Sequence, residues 1–93
     1  MKEERFLEIA RAVSDPTRFA ILSRIAKAGD DLACANLTHC MEITPATISH
    51  HMKELSAAGL IEGRKEGKFT FYKVNQAVWA EYLKELARRV PTA

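Results

Sequence analysis

After Gly59 the apolar residues change from the 3.6-residue period of a helix to the two-residue period of a strand, and they change back after Asn75. That switch limits the chain to a helical body carrying one short β insertion. Its 93 residues are enough for a single domain, 1–93, with one core. At 47% apolar and 28% charged, the composition is that of a folded chain and not a disordered one. Uninterrupted apolar runs reach only four residues, as in Phe19-Ala20-Ile21-Leu22, whereas a membrane-spanning helix needs about 20. The charged start, Met1-Lys2-Glu3-Glu4-Arg5, has no apolar stretch behind it. A secretory leader and a membrane partner are therefore not expected, and a cytoplasmic location is.

Local signals divide the helical part. Phe6, Leu7, Ile9, Ala10 and Val13 fall at helical spacing among Glu3, Glu4, Arg5, Glu8 and Arg11, which predicts an amphipathic first helix. Asp15-Pro16 starts a second, with Asp15 as cap, Pro16 at the first helical position, and Gly29 as the stop. The stretch Asp30-Asp31-Leu32 reads as a break, and residues 34–41 as a short helix of about two turns. Glu42-Ile43 is a tight connection. Thr44-Pro45 repeats the cap-plus-proline signal and opens a helix that runs to about Ala58, with Ile48, Met52 and Leu55 inward and Gly59 at its end. Leu60–Arg64 and Phe69–Val74 then read as strands around a Lys65-Glu66-Gly67-Lys68 turn. A last helix carries Val78, Trp79, Tyr82, Leu83, Leu86 and Val90 on one stripe and ends at Pro91.

A short helix joined by a tight turn to a longer one is the helix-turn-helix arrangement, whose second helix enters the DNA major groove by its N-terminal end. A hairpin directly after that helix is a wing. The expected fold is therefore mainly α with a small β-hairpin, a winged helix-turn-helix. Thr44, Pro45, Ala46, Thr47, Ser49, His50 and Lys53 form the candidate reading face, and Arg64, Lys65 and Lys68 the candidate phosphate contacts of the wing. Thr47 and Ser49 are small enough for close approach, and Ala46 suits a thymine methyl. The net charge of +2 cannot by itself argue for nucleic acid. Between Thr44 and Lys73 the balance is five positive to three negative charges. A dimer would double that local bias.

At these residues the chain resembles the ArsR/SmtB family of winged-helix transcriptional repressors. The resemblance rests on Val13-Ser14-Asp15-Pro16-Thr17-Arg18, on Thr47-Ile48-Ser49-His50-His51-Met52-Lys53-Glu54-Leu55, and on Ala58-Gly59-Leu60-Ile61 leading into Arg64-Lys65-Glu66-Gly67-Lys68. It extends over roughly Phe6 to Val90 and implies a homodimer, joined through its first and last helices, that binds a palindromic operator and releases it to an inducer. Phe6, Leu7, Ile9, Trp79, Tyr82, Leu83 and Leu86 are the corresponding interface candidates. The apolar width of the last helix argues for a dimer independently. Metal-sensing relatives place a Cys-x-Cys pair where this chain has Ala33 and Ala35, with Cys34 between them. Their other site uses His and carboxylates on the last helix, which here has Glu81 and Glu85 but no His. No metal through those sites and no cofactor are expected. The identity of the effector is not readable from the residues.

Cys34 and Cys40 are too few for a disulfide framework. Six residues along a helix give about 240° of rotation and about 9 Å of rise. That is too far for a bond needing Cα atoms about 4.4–6.8 Å apart. They read as packing residues, with redox sensing, or an unfamiliar metal site including His39, as alternatives. His50 is expected to face DNA and His51 the domain. Arg18 and Lys27 read as solvated. No glycine-rich phosphate loop or nucleophile elbow is present, and Glu54 four residues after His50 is a weak acid-base pair, so an enzyme is not expected. A winged helix serving as a protein-interaction module is the rival reading.

Overall fold

The computed structural model describes residues 1–29, 32–33, 37 and 41–93, with backbone alone at 32–33. Cys34, His39, Cys40 and most of the short helix expected over 34–41 lie outside the described residues. Among the described residues, four longer helices and three strands follow the order α1 (Glu3–Ala12), α2 (Pro16–Ala28), β1 (Leu32–Ala33), α3 (Pro45–Ala57), β2 (Ile61–Glu66), β3 (Phe69–Val74) and α4 (Gln76–Arg89).

The starts of α2, α3 and α4 are closed by the chemistry nearest to them in sequence, whereas α1 opens at Lys2 without a side-chain cap. The Asp15 carboxylate accepts the Arg18 amide at 2.8 Å and opens α2. Thr44 Oγ1 accepts the Thr47 amide at 3.2 Å and opens α3. Asn75 Oδ1 accepts the Val78 amide at 3.3 Å and opens α4. Such a cap satisfies one of the donors that the first helical turn leaves without a partner. Pro16 and Pro45 sit at first-turn positions, where a missing N–H costs nothing. The end of α3 is a Schellman motif: the Leu60 amide donates to the Leu55 carbonyl and the Gly59 amide to that of Ser56. This places Gly59 at φ 76°, the left-handed conformation that a side chain disfavours. A Cβ there would also collide with the Arg5 guanidinium of α1.

The β insertion is larger at one edge and tighter at its tip than the periodicity predicts. β2 and β3 pair antiparallel from Ile61 opposite Val74 to Glu66 opposite Phe69, so only Gly67 and Lys68 form the loop. Gly67 has φ 63° and Lys68 does not share that sign, the pattern of a type II′ turn. Leu32 and Ala33, expected in or beside a break, pair with Tyr72 and Phe71 and place β3 at the centre of a three-stranded sheet. A two-residue strand shows no periodicity to read; it exists because the outer edge of β3 has amides and carbonyls to satisfy.

The core gathers Phe6 and Ile9 from α1, Ile21, Leu22 and Ile25 from α2, Leu37, and Ile48, Met52 and Leu55 from α3. Leu60 just before β2, Ile61 and Val74 in the sheet, and Tyr82 of α4 close it. The stripe on α4 divides. Tyr82 is buried against Phe6, with ring centroids 5.3 Å apart, while Leu83, Leu86 and Val90 stay exposed. No helix among the described residues is long and apolar enough to cross a membrane.

Candidate nucleic-acid interface

Helix α3 separates its residues cleanly between two faces. Ile48 and Leu55 are fully buried and Met52 nearly so. Thr44, Pro45, Ala46, Thr47, Ser49, His50 and Lys53 are all exposed. Burial of the apolar stripe therefore fixes which side faces out, because neighbouring helical residues point about 100° apart. The hydroxyl of Thr44 also donates to Thr47 Oγ1 at 2.9 Å, which orders the first turn of the exposed face. That turn carries the positive end of the helix dipole, favourable toward an anion.

The wing projects from the end of the same helix, and its pleat sorts its charges. Arg64 and Glu66 share one face with their cross-strand neighbours Phe71 and Phe69. The Arg64 Nε–H donates to Glu66 Oε1 at 3.0 Å, and its guanidinium lies 5.1 Å over the Phe71 ring. Lys65 is on the opposite face, in the column of Gly63 and Ile61, and Lys68 is in the loop. The three wing cations expected as one group are thus presented in different directions, all of them exposed. Gly63 lets the Tyr72 ring lie across β2, since a Cβ at 63 would stand 2.9 Å from Tyr72 Cε1.

Behind α3 is a polar joint that the sequence does not reveal. Arg18, expected to be solvated, is half-buried: its Nε–H donates to the Ala12 carbonyl at the end of α1, at 2.6 Å. Its Nη1 lies 3.5 Å from Nδ1 of His51 on α3. His51, inward as expected, is 8% exposed, with Nε2 4.0 Å from Asp15 Oδ2. The hydrogen bond from the Arg18 amide, with the Arg18 and His51 side chains nearby, holds the Asp15 carboxyl below its ordinary value. The cap at Asp15 was legible from sequence; partners at positions 12 and 51 were not.

Of the residues expected at a dimer face, Phe6, Ile9 and Tyr82 are covered within the protomer itself and are not available as outward contacts. Leu7, Leu83 and Leu86 remain 45%, 46% and 41% exposed, and Trp79 is half-buried beside Tyr82. Arg89 fastens the two helices carrying this patch, lying 4.7 Å over the Phe6 ring of α1 and 3.1 Å from Glu85 on α4.

The positions at which the resemblance implies metal ligands hold Ala33, Ala35, Glu81 and Glu85. Ala33, in β1, and Ala35 have no donor side chain. On α4, Glu85 is occupied by Arg88 at 2.8 Å and Arg89 at 3.1 Å. Those bonds, Arg88 foremost, pull its carboxyl down to about 2.

A helix-turn-helix domain family matches residues 13–64, the span from the α1–α2 joint through α3 to the wing. A helix-turn-helix-type transcriptional regulator of Methanocaldococcus jannaschii is 40% identical over 73 residues, covering 78% of this chain and 81% of the relative. The arsenical resistance operon repressor of Staphylococcus aureus is 31% identical over 86 residues, covering 92% and 81%. Among solved structures, an ArsR-like transcriptional regulator of a Rhodococcus species superposes with a TM-score of 0.81 at 26% identity, over 91% of this chain and 78% of that one. A Mycobacterium bovis homodimeric winged helix-turn-helix DNA-binding domain shares the fold at a TM-score of 0.74 and 21% identity, over 92% and 79%. With this order of elements and these relatives, the chain belongs to the ArsR family of winged helix-turn-helix transcriptional regulators.

Proposed function

We propose that the protein is a homodimeric repressor that places Pro45–Lys53 of each protomer in one major-groove half-site of a palindromic operator, while Lys65, Lys68 and Arg64 meet flanking phosphates. The observation that carries this reading is the division of α3, whose apolar positions are buried while the capped N-terminal turn, Ser49, His50 and Lys53 are exposed. The exposed leucines at positions 7, 83 and 86 support pairing through α1 and α4, and a homodimeric relative of the same fold supports it further. The protein acts in the cytoplasm as a binding protein, not an enzyme. Release comes from an effector that prefers one spacing of the two reading helices over the other, and so shifts the population between them. The alanines at 33 and 35 argue that this effector is not a metal held in the sites of the metal-sensing relatives.

The test is a selection of duplexes from a random pool by the purified protein, run reduced, oxidised and with a chelator. Enrichment of a palindrome with half-sites about one helical turn apart is the expected result. A folded dimer that enriches no sequence in any condition sinks the repressor reading and favours a protein-interaction module. Loss of binding on oxidation assigns sensing to Cys34 or Cys40.

A further inference from the structure

The buried surface of α3 is apolar apart from His51, and apolar burial is non-directional: it holds a helix against the core without setting its tilt or rotation closely. Hydrogen bonds to a planar guanidinium are directional. Arg18 makes them to two elements at once, donating to the carbonyl of Ala12 at 2.6 Å and lying within 3.5 Å of His51 Nδ1. A guanidinium can only donate, so this bond requires Nδ1 to be the ring's acceptor and leaves the Nε2 proton directed toward Asp15 at 4.0 Å. Asp15 in turn holds the amide of Arg18 at 2.8 Å, which fixes where the arginine side chain begins. The ring so held belongs to the residue directly after His50, on the exposed face, and the two imidazole centroids are 5.5 Å apart. Ala12 ends the helix whose Leu7 is part of the exposed apolar patch.

From this geometry we infer that Arg18 is a positioning residue for DNA recognition: by joining the end of α1 to His51 of α3, it sets the angle of the reading helix relative to the dimer face without touching DNA. The inference rests on the proposed repressor function. It makes the α1–α2–α3 joint the place where a change in dimer geometry passes to the reading face.

The experiment uses the full chain, the duplex enriched by the wild-type protein, and three variants. Arg18→Lys keeps the charge but cannot reach both partners as a fork. His51→Leu removes the acceptor at similar volume, and His51→Asn restores an acceptor near Nδ1. Dimer state, denaturant stability, Kd for the duplex and the dependence of Kd on salt are measured for each. Arg18→Lys and His51→Leu are expected to bind about tenfold more weakly, equivalent to about 1.4 kcal/mol. His51→Asn is expected to recover most of the wild-type affinity. The salt slope should be the same in all four proteins, since no phosphate contact is lost.

Wild-type affinity in both Arg18→Lys and His51→Leu overturns the inference. A further variant, Arg18→Gln, removes the charge, and a reduced salt slope in it also overturns the inference, because the arginine would then be a phosphate contact. A weakening fully accounted for by the unfolded fraction reduces the joint to a structural role and overturns it as well. If the wild-type protein enriches no duplex, the repressor reading fails first and this inference fails with it.

Discussion

Replacing both Lys65 and Lys68 by alanine tests whether the wing meets phosphates. Both side chains are exposed, Lys65 at the next-to-last residue of β2 and Lys68 in the loop itself. Their loss should change folding stability by no more than about 0.5 kcal/mol, as for ordinary surface positions. Four exposed cations per protomer stand on the candidate DNA surface, Lys53 on the reading face and Arg64, Lys65 and Lys68 on the wing, so a dimer can neutralise at most eight phosphates. Each phosphate neutralised adds about 0.9 to the slope of log K against log salt, which sets a ceiling of about −7 for the wild-type protein. The double variant loses four of the eight contacts and should show a slope of about half that, near −3.6. Between about 50 and 200 mM salt, the wild-type affinity should fall by about 10⁴-fold and that of the variant by about 10²-fold. Fluorescence anisotropy of a labelled operator duplex across that range measures both slopes directly. A variant that keeps the wild-type slope refutes the placement of the wing on the DNA backbone. Weaker binding with an unchanged slope would refute it equally, since lost phosphate contacts must release fewer counterions.

Three further outcomes follow from the packing. Ile48, fully buried on the inner face of α3, should cost about 2–5 kcal/mol when changed to alanine, read from the denaturant midpoint; a cost below about 1 kcal/mol would remove it from the core. Leu83→Glu places a charge in the exposed patch of α4 and should convert dimer to monomer in sedimentation while the circular dichroism of the helices is retained; an unchanged dimer would move the interface elsewhere. The Glu85 carboxyl, held down to about 2 by Arg88 and Arg89, is depressed in the folded state, so its stabilisation is present above the ordinary carboxylate value and lost as pH falls from there through about 2. Glu85→Gln should therefore flatten the acid limb of the stability curve followed by Trp79 fluorescence, and an unaltered acid limb would show that these pairs contribute nothing measurable.

Much of this protein is legible along the chain because the relevant physics acts over three to five residues. A cap needs only the side chain at Asp15, Thr44 or Asn75 and an amide three positions on. Gly59 ends α3 because the chain must turn left-handed there, and the period of Ile48, Met52 and Leu55 by itself says which face of α3 is left exposed. The candidate reading face and the wing are accordingly legible in the sequence.

Where the partner is far away in sequence, local rules have nothing to act on. Whether Phe6, Ile9 and Tyr82 face inward or outward depends on how α1 and α4 pack, since an apolar stripe marks burial without naming what covers it. The short strand at Leu32–Ala33 exists only because β3 has an open edge. The separation of Arg64 from Lys65 follows from a pleat established by pairing across the hairpin. Arg18, to the sequence a charged residue on a helix, becomes a joint because folding brings Ala12 and His51 within reach of one guanidinium. The sequence alone determined the four longer helices, their approximate ends and the exposed side of α3. The tertiary structure decided how α3 is held, through contacts between residues too far apart in the chain for any local propensity to specify.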